Sequence, residues 1–305
     1  MSETNERPDL IVGLEVTSSR LFAVGVDRNN NIADKFETVR TRRDEASDEI
    51  AEFAGEAARR FGVSRLGIAL PGLVSHETGN IAFSATIPQK VAADFENSVR
   101  ATGVEVYIEN DANAAAYAEY RLGAGRGSRN MFYATIGEGV GGSFILDGQI
   151  WRGSAGFAGE FGYIALNSDG MRLEDVASSS NIVRRTRSRF NRDSTSSLRG
   201  LSEEQIGLHD IVAAADDGDD FAKLMLERTG MYIGTAIASV INLMNIERIV
   251  VGGEIMHAKH LVIDSIINRA RELSFTPSFQ GAEILAGELD DKAGAIGAAL
   301  LANRA

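Results

Sequence analysis

The chain opens twice with the same pattern of strands, and this repeat limits the folds that it can adopt. Apolar runs at residues 10–16, 21–26 and 32–39 are separated by polar turns, and runs at 131–136, 143–146 and 149–151 repeat that order. A shift of about 120 residues lays Val24-Gly25-Val26-Asp27 over Phe144-Ile145-Leu146-Asp147. Self-similarity of this kind indicates duplicated structural units. The repeat therefore predicts an α/β protein with two duplicated lobes that flank a cleft.

Helical patterns follow the strands in both halves and set the expected domain boundaries. Residues 46–61 place apolar side chains at helical spacing, which predicts an amphipathic helix. A further helix is predicted in the second half, over residues 174–189. The last helical segment, 290–302, is rich in alanine and glycine and is expected to pack closely against its neighbours. We predict an N-terminal lobe over residues 1–120, completed by the C-terminal helix at 290–305, and a C-terminal lobe over residues 121–289.

Composition restricts the functions that are open to the chain. A net charge of -12 disfavours nucleic acid and anionic membranes as general partners. The lack of cysteine excludes disulfides and thiolate metal sites, and among four histidines only His257 and His260 lie close in sequence, which disfavours a histidine-based metal site. No apolar run approaches the ~20 residues needed to span a bilayer, and residues 1–9 lack the apolar core of a signal peptide. These features predict a cytoplasmic protein.

The stretch from Tyr107 to Ala116 is the strongest candidate for a functional site. A β-branched run at 104–108 ends in Glu109-Asn110-Asp111, and an alanine-rich run follows, which predicts a buried strand that leads into a helix capped by Asn110 or Asp111. Ligands of open α/β sheets bind beyond the carboxyl ends of strands. The carboxylate and carboxamides could therefore hold a hydroxylated substrate. The alternative interpretation is a plain helix cap.

Two turns in equivalent places of the repeat are candidates for phosphate binding. The turn at 137–142 contains four glycines, which allow backbone N–H groups to approach a phosphate closely. An irregular hairpin or a bulge is the alternative. The first turn, Thr17-Ser18-Ser19-Arg20, offers hydroxyl groups and a cation in place of glycines. Both turns could surround a polyphosphate.

The glycine-rich stretch 153–163 is too long for a simple turn, and long ordered loops are often functional. Glu160 lies between Gly159 and Phe161, where a partly buried carboxylate needs hydrogen-bond partners such as sugar hydroxyl groups. The alternative is an ordinary solvated loop glutamate.

Four of these features, in this order, resemble the ROK family (repressors, uncharacterised reading frames and sugar kinases) of the hexokinase/actin-like ATPase superfamily. The resemblance runs from about residue 10 to residue 301 and implies two ribonuclease-H-like lobes. A DNA-binding helix-turn-helix, typical of the repressor branch, is not expected, because only nine residues precede the first strand. The features are Leu70-Pro71-Gly72, Glu109-Asn110-Asp111-Ala112-Asn113, the turn at 137–142 with Gly159-Glu160-Phe161-Gly162, and Val251-Gly252-Gly253-Glu254.

The resemblance implies a kinase that transfers phosphate from ATP with Mg²⁺ to a hexose or related polyol, without zinc. Asp111 matches the general base that takes the proton of the attacking hydroxyl group. Dimers are common in the family, so a homodimer is one expected assembly. The residues implied for the sugar are Asn110, Glu160, Glu174, Gly72, Thr86 and Tyr163; those implied for the nucleotide are Thr17, Ser18, Ser19, Arg20, Gly137, Gly139, Gly141, Gly142, Gly252 and Gly253; Glu15 is implied for Mg²⁺.

The chain also departs from the family pattern. Glu15-Val16-Thr17-Ser18-Ser19-Arg20 stands where the family usually has Asp-x-Gly-Gly-Thr-Lys, so both glycines of the first phosphate turn are missing. Tyr163 replaces a histidine that commonly binds sugar and zinc, Thr86 replaces a sugar-binding asparagine, and the cysteine cluster of the family zinc site is absent. An alternative is therefore a catalytically degenerate, ROK-like sugar- or nucleotide-binding regulatory protein without a DNA-binding domain.

Overall fold

The computed structural model describes residues 10–42, 45–75, 81–84 and 95–304, and strands alternate with helices in this part of the chain. The strands are β1 Ile11–Val16, β2 Arg20–Val26, β3 Ile32–Val39, β4 Arg65–Leu70, β5 Leu73–Val74, β6 Ile81–Phe83, β7 Glu105–Asn110, β8 Met131–Ile136, β9 Val140–Leu146, β10 Gln149–Trp151, β11 Arg248–Gly252 and β12 Glu283–Ala286. The helices are α1 Ala46–Phe61, α2 Phe95–Arg100, α3 Asp111–Leu122, α4 Glu174–Ala177, α5 Ser179–Arg187, α6 Leu208–Asp216, α7 Asp220–Met244, α8 Lys259–Leu273, α9 Thr276–Gln280 and α10 Ala293–Ala302. Across these described segments, no helix is both long and apolar enough to cross a membrane.

The chain folds into two compact units. Unit 1 consists of Met1–Arg126, Gln149–Ala158 and Asp291–Ala305, and unit 2 consists of Gly127–Gly148 and Gly159–Asp290. The first unit thus continues past residue 120 to Arg126. It also takes in Gln149–Ala158, a segment that the sequence pattern assigned to the C-terminal lobe.

Unit 1 is built on a five-stranded sheet with the order β3-β2-β1-β4-β7. Strand β2 pairs antiparallel with both β1 and β3, whereas β4 pairs parallel with both β1 and β7. The parallel register places Glu15 beside Ala69, and Ala69 beside Glu109. Because parallel strands end at the same edge, Glu15 and the residues that follow β7 lie where open α/β sheets bind ligands.

Helix α10 packs inside unit 1 through positions where only glycine fits. A Cβ atom at Gly13 of β1 would lie 1.9 Å from the Ala295 carbonyl oxygen of α10. A Cβ atom at Gly297 of α10 would lie 1.7 Å from the Ala114 carbonyl oxygen of α3. The backbone of α10 therefore touches β1 and α3 directly, and the close packing predicted for its small residues is confirmed.

Unit 2 repeats the architecture of unit 1. The second five-stranded sheet, to which unit 2 contributes β8, β9, β11 and β12, has the order β10-β9-β8-β11-β12, with β8 and β9 antiparallel and with β11 parallel to both β8 and β12. In both sheets the strands follow the order third, second, first, fourth and fifth along the chain. The predicted duplication of a ribonuclease-H-like unit is confirmed by this shared order.

Aromatic packing in unit 2 fixes the glycine-rich segment that carries Glu160. Phe161 is buried, and its ring centroid lies 5.0 Å from that of Phe132 on β8, which in turn lies 4.6 Å from that of Phe144 on β9. Gly159 has a φ of 103°, a left-handed conformation that favours glycine, and a Cβ there would lie 2.2 Å from the Gly142 carbonyl oxygen. Gly159 and Phe161, the residues before and after Glu160, are thus both packed against the sheet.

Three predicted element bounds are wrong. Strand β7 continues past residue 108, because Glu109 and Asn110 pair with Ala69 and Leu70 of β4. The glycine turn is shorter than 137–142, since Gly141 and Gly142 lie within β9 and pair with β8. The helix predicted at 174–189 is two helices, because the backbone at Ser178 is extended, with a ψ of 151°.

Candidate active site

The start of helix α3 holds Asp111, the candidate base. Asn110 caps this helix, since its Oδ1 accepts from the Asn113 amide at 3.0 Å. The Asn110 Nδ2 donates to the Gly72 carbonyl oxygen at 2.9 Å and to Asp111 Oδ1 at 3.0 Å. Asp111 Oδ1 also accepts from the Ala112 amide at 2.9 Å. Asn110 thus caps the helix and at the same time fixes one carboxylate oxygen of Asp111.

Glu109, the residue before the cap, is the centre of a buried polar network. It is 3% exposed. Its Oε1 accepts from Asn113 Nδ2 at 3.0 Å and from the Asn110 amide at 3.1 Å. Its Oε2 accepts from Arg152 Nη2 at 2.5 Å and from the Tyr107 hydroxyl at 3.2 Å. The Arg152–Glu109 ion pair therefore stabilises the connection from β7 to α3, where Asn110 lies.

Arg152 was not among the residues that sequence analysis selected. It is the cation that immediately precedes the glycine-rich stretch 153–163, but nothing in its local pattern indicates Glu109 as its partner. A buried carboxylate such as Glu109 needs a cation nearby to compensate its charge. A glutamate predicted at the end of a buried strand is therefore the one sequence signal that indicates a partner such as Arg152.

Glu15 lies at the end of β1 against the first turn of α10. The Ala295 amide donates to its carboxylate, as in a helix cap, and a Cβ at Gly294 would lie 2.5 Å from Glu15 Oε1. Its Oε2 is buried without a hydrogen-bond partner among the described residues, although the side chain as a whole is only partly buried. Burial, and then the Asp111 carboxylate, raise the pKa of Glu15 to about 8, against the opposing effect of Arg20. Glu15 is therefore mostly protonated at neutral pH.

The turn at 17–20 is closed by its own hydrogen bonds. Thr17 Oγ1 accepts from the Ser19 amide at 3.3 Å and from the Arg20 amide at 3.0 Å, and the Thr17 amide donates to the Arg20 carbonyl oxygen at 3.0 Å. The Arg20 guanidinium pairs with Glu37 and with Asp291, each at 3.0 Å. Groups that could otherwise bind a phosphate are thus occupied within unit 1.

In unit 2, the glycine turn, the start of α5 and the end of β11 meet. The Ser179 amide donates to the Gly137 carbonyl oxygen at 2.7 Å, and the Ser179 hydroxyl donates to Glu254 Oε2 at 2.5 Å. Gly253, with a φ of 86°, makes the sharp turn after β11, and a Cβ there would lie 2.6 Å from the Ile136 carbonyl oxygen. The candidate nucleotide residues at 137–139 and 252–253 are therefore neighbours, as ligation of one nucleotide requires.

The candidate sugar residues of unit 2 form a second group around Glu174. Its Oε2 accepts from the Val140 amide at 3.2 Å, which ties α4 to the end of the glycine turn. Glu160 is exposed as a residue, but partial desolvation of its carboxyl group, and then the negative charge of Glu174, raise its pKa. Tyr163 is 58% exposed, and the Arg172 guanidinium lies 4.5 Å from its ring centroid. Two carboxylates and an exposed aromatic ring therefore occur together, which suits a ligand rich in hydroxyl groups.

The predicted site residues thus fall into two groups, each brought together within its own unit. Unit 1 contains Glu15, Asn110, Asp111, Gly72 and the turn at 17–20, and unit 2 contains the remaining residues apart from Thr86. Thr86 lies outside the described residues. Among the residues that the structure describes, no cluster of three or more His, Cys, Asp or Glu side chains is arranged to hold a metal ion.

Known proteins are similar to this chain over most of its length. The model of the ROK family matches residues 12–305. A glucokinase of Halalkalibacterium halodurans is 29% identical over 306 residues, which cover 94% of this chain and 92% of that protein. A xylose repressor of Caldicellulosiruptor bescii is 25% identical over 251 residues, 77% of this chain and 61% of that protein. A solved ROK family glucokinase from Streptomyces griseus, in complex with glucose and AMPPNP, is 30% identical with a TM-score of 0.88, covering 97% of this chain and 100% of that one.

The two repeated units have the fold of the hexokinase-like ATPases, which is also the fold of the ROK kinases among these relatives. Within that class, the chain belongs to the ROK family. At the level of the family, the relatives support a sugar kinase, although repressors are also among them.

Proposed function

We propose that the protein is an ATP-dependent sugar kinase that phosphorylates a hydroxyl group of a hexose or related polyol, with Asp111 as the general base. The observation that carries this proposal is the fixed carboxylate at the start of α3. Asp111 Oδ1 accepts hydrogen bonds from the Asn110 side chain and from the Ala112 amide, which fixes the orientation of the carboxylate at the start of α3. The amino end of a helix also favours the charged form that a base requires.

The reaction needs positioning and charge neutralisation more than covalent chemistry by the protein. Asp111 takes the proton of the sugar hydroxyl group. At the same time the sugar oxygen forms a bond to the γ-phosphorus of ATP, and the bond between that phosphorus and ADP breaks. The proton ends on Asp111, and the leaving group is ADP. A base in this position typically contributes about a hundredfold to ten-thousandfold in rate.

The remaining candidate residues have binding roles in this proposal. Asn110, Glu160 and Glu174 accept hydrogen bonds from sugar hydroxyl groups, and Gly72, Thr86 and Tyr163 are further sugar-binding residues. The nucleotide interacts with Gly137, Gly139, Gly141, Gly142, Gly252 and Gly253.

The Mg²⁺ that enters with ATP fits beside Glu15. The buried Glu15 Oε2 has no partner among the described residues, and a divalent cation would favour the charged form of this carboxyl group. The turn at 17–20 would have to open its Thr17 hydrogen bonds to contact a phosphate.

The closed turn also favours the second candidate, a ROK-like sugar- or nucleotide-binding regulatory protein without turnover. In that case the Thr17 side chain and the ion pairs of Arg20 keep the first turn shut. Such a protein would bind a sugar and still release no ADP.

The test is an ADP-release assay with MgATP over a panel of hexoses and polyols. We expect sugar-dependent turnover in the native protein, its loss in Asp111→Ala, and no change in Asp34→Ala, which removes an exposed carboxylate of the same unit. An absence of turnover with every acceptor, together with sugar binding in a thermal-shift measurement, would leave the regulatory protein as the better account. Undiminished turnover in Asp111→Ala would overturn the assignment of the base.

A further inference from the structure

A pocket of about 460 Å³ lies in unit 1, away from the residues assigned above. It is found where the carboxyl ends of α3 and α10 meet the turn between β2 and β3, whereas Asp111 lies at the opposite end of α3. The residues of its lining that matter here are Arg28, Tyr117, Arg121, Asn303 and Arg304.

Two arginines of this pocket share one buried tyrosine. Tyr117 is 1% exposed. Its hydroxyl oxygen accepts from Arg121 Nη1 at 2.9 Å and from Arg304 Nη1 at 2.8 Å. The two guanidinium carbons lie 5.8 Å and 5.4 Å from the ring centroid. A hydroxyl oxygen has two acceptor positions, and the two arginines use both of those on Tyr117. Two positive charges thus lie beside an uncharged hydroxyl group.

No carboxylate of the described residues forms an ion pair with Arg121 or Arg304. Asp27 also lines the pocket, but it accepts from the Asn29 amide at 2.8 Å and from the Asn31 amide at 2.9 Å within its own turn. The chain has a net charge of -12, so a pocket lined by three arginines and one aspartate is a local exception to its acidic character.

We propose that this pocket is a binding site for a small-molecule oxyanion, with a phosphate or carboxylate group held between Arg121 and Arg304. Each guanidinium carries five N–H donors and uses one of them on Tyr117, so donors remain for a two-point contact with an oxyanion. Both arginines are exposed side chains that a solute can reach. The pocket volume lies in the range of small-molecule sites. This inference does not depend on the proposed kinase function.

The test is isothermal titration calorimetry at constant ionic strength, without nucleotide or sugar, and with inorganic phosphate as the probe. We expect saturable binding to the native protein, at least tenfold weaker binding to Arg121→Ala and to Arg304→Ala, and unchanged binding to Arg59→Ala. Arg59 is an exposed arginine of the same unit outside this pocket. Parallel titrations with glycerol 3-phosphate and with citrate distinguish a phosphate ester or a polycarboxylate from free phosphate as the preferred ligand.

The proposal is overturned if none of the three probes binds saturably, or if binding is the same in the native protein and in both arginine variants. The latter result would place the anion elsewhere, for example at the glycine turn of unit 2. Arg121 also packs on Tyr117, so its variant could lose stability. Arg304→Gln, at an exposed position after α10, preserves the test in that case, and the melting temperature of each variant identifies a folding defect.

Discussion

Replacement of Glu15 by glutamine should stabilise the protein at alkaline pH and leave it almost unchanged at acidic pH. The carboxyl group lies between the end of β1 and the first turn of α10, with Oε2 buried and without a partner among the described residues. Burial, and then the nearby Asp111 carboxylate, raise its pKa from 4.5 to about 8. Glutamine has the same shape and remains neutral at every pH.

The size of the effect follows from this difference in pKa. Between pH 4.5 and about 8, the unfolded chain has released the Glu15 proton and the folded chain retains it. The stability of the native protein therefore falls as the pH rises through this window, and the loss is complete above it. At about 1.36 kcal/mol per pKa unit, the full window corresponds to about 5 kcal/mol. Glu15→Gln escapes this loss, so its advantage should increase from nearly zero at pH 4.5 to several kcal/mol at pH 8.5.

The assay is urea denaturation of both proteins across this pH range, with circular dichroism as the signal. Glu56→Gln is the matched control, because Glu56 is an exposed glutamate of α1 in the same unit and its replacement should give no pH-dependent difference. The reasoning is refuted if the free-energy difference between Glu15→Gln and the native protein does not change with pH. It is also refuted if the native protein becomes the more stable one as the pH rises.

Other substitutions test the contacts of unit 1 by the same denaturation assay. Asn110→Ala removes the cap of α3 and should cost about 1 kcal/mol, whereas an unchanged stability would contradict the capping role. Arg152→Ala leaves the Glu109 carboxylate buried without its cation and should cost about 3–5 kcal/mol, and the added Glu109→Gln change should restore part of this loss. Gly13→Ala drives a Cβ into the backbone of α10 and should cost at least about 2 kcal/mol, whereas Gly200→Ala, in open space, should be nearly neutral. Equal effects of the two glycine changes would contradict the packing described for α10.

The sequence allowed much of the fold to be predicted, because short-range patterns determine it. The apolar runs and polar turns at both openings predicted β1, β2 and β3 and their counterparts β8, β9 and β10 in the second sheet, and the shared strand order confirms the duplication. The small residues of the last helix predicted its close packing. The carboxyl end of β7 was not predictable in this way, because pairing with β4 decides it, and no local pattern marked the extended backbone at Ser178.

The candidate site was less predictable, because its charges and hydrogen bonds depend on contacts between residues that are far apart in the sequence. Glu109 and Arg152 are 43 residues apart in sequence, and no local pattern joins them. The raised pKa of Glu15 depends on burial under α10, at the other end of the chain. The missing glycines at 17–20 were evident from the sequence, whereas the closure of this turn by Thr17 is evident only in the structure. The pocket around Tyr117 carried no recognisable motif.

The most direct test of the proposed function follows the γ-phosphorus of ATP by ³¹P NMR in the presence of the best acceptor from the sugar panel. The native protein should convert ATP and the sugar into ADP and a sugar phosphate. Asp111→Asn, which keeps the size of the side chain but cannot accept the proton, should slow this conversion by about a hundredfold or more. Formation of sugar phosphate at the native rate by Asp111→Asn, or no sugar phosphate from the native protein with any acceptor, would contradict the assignment.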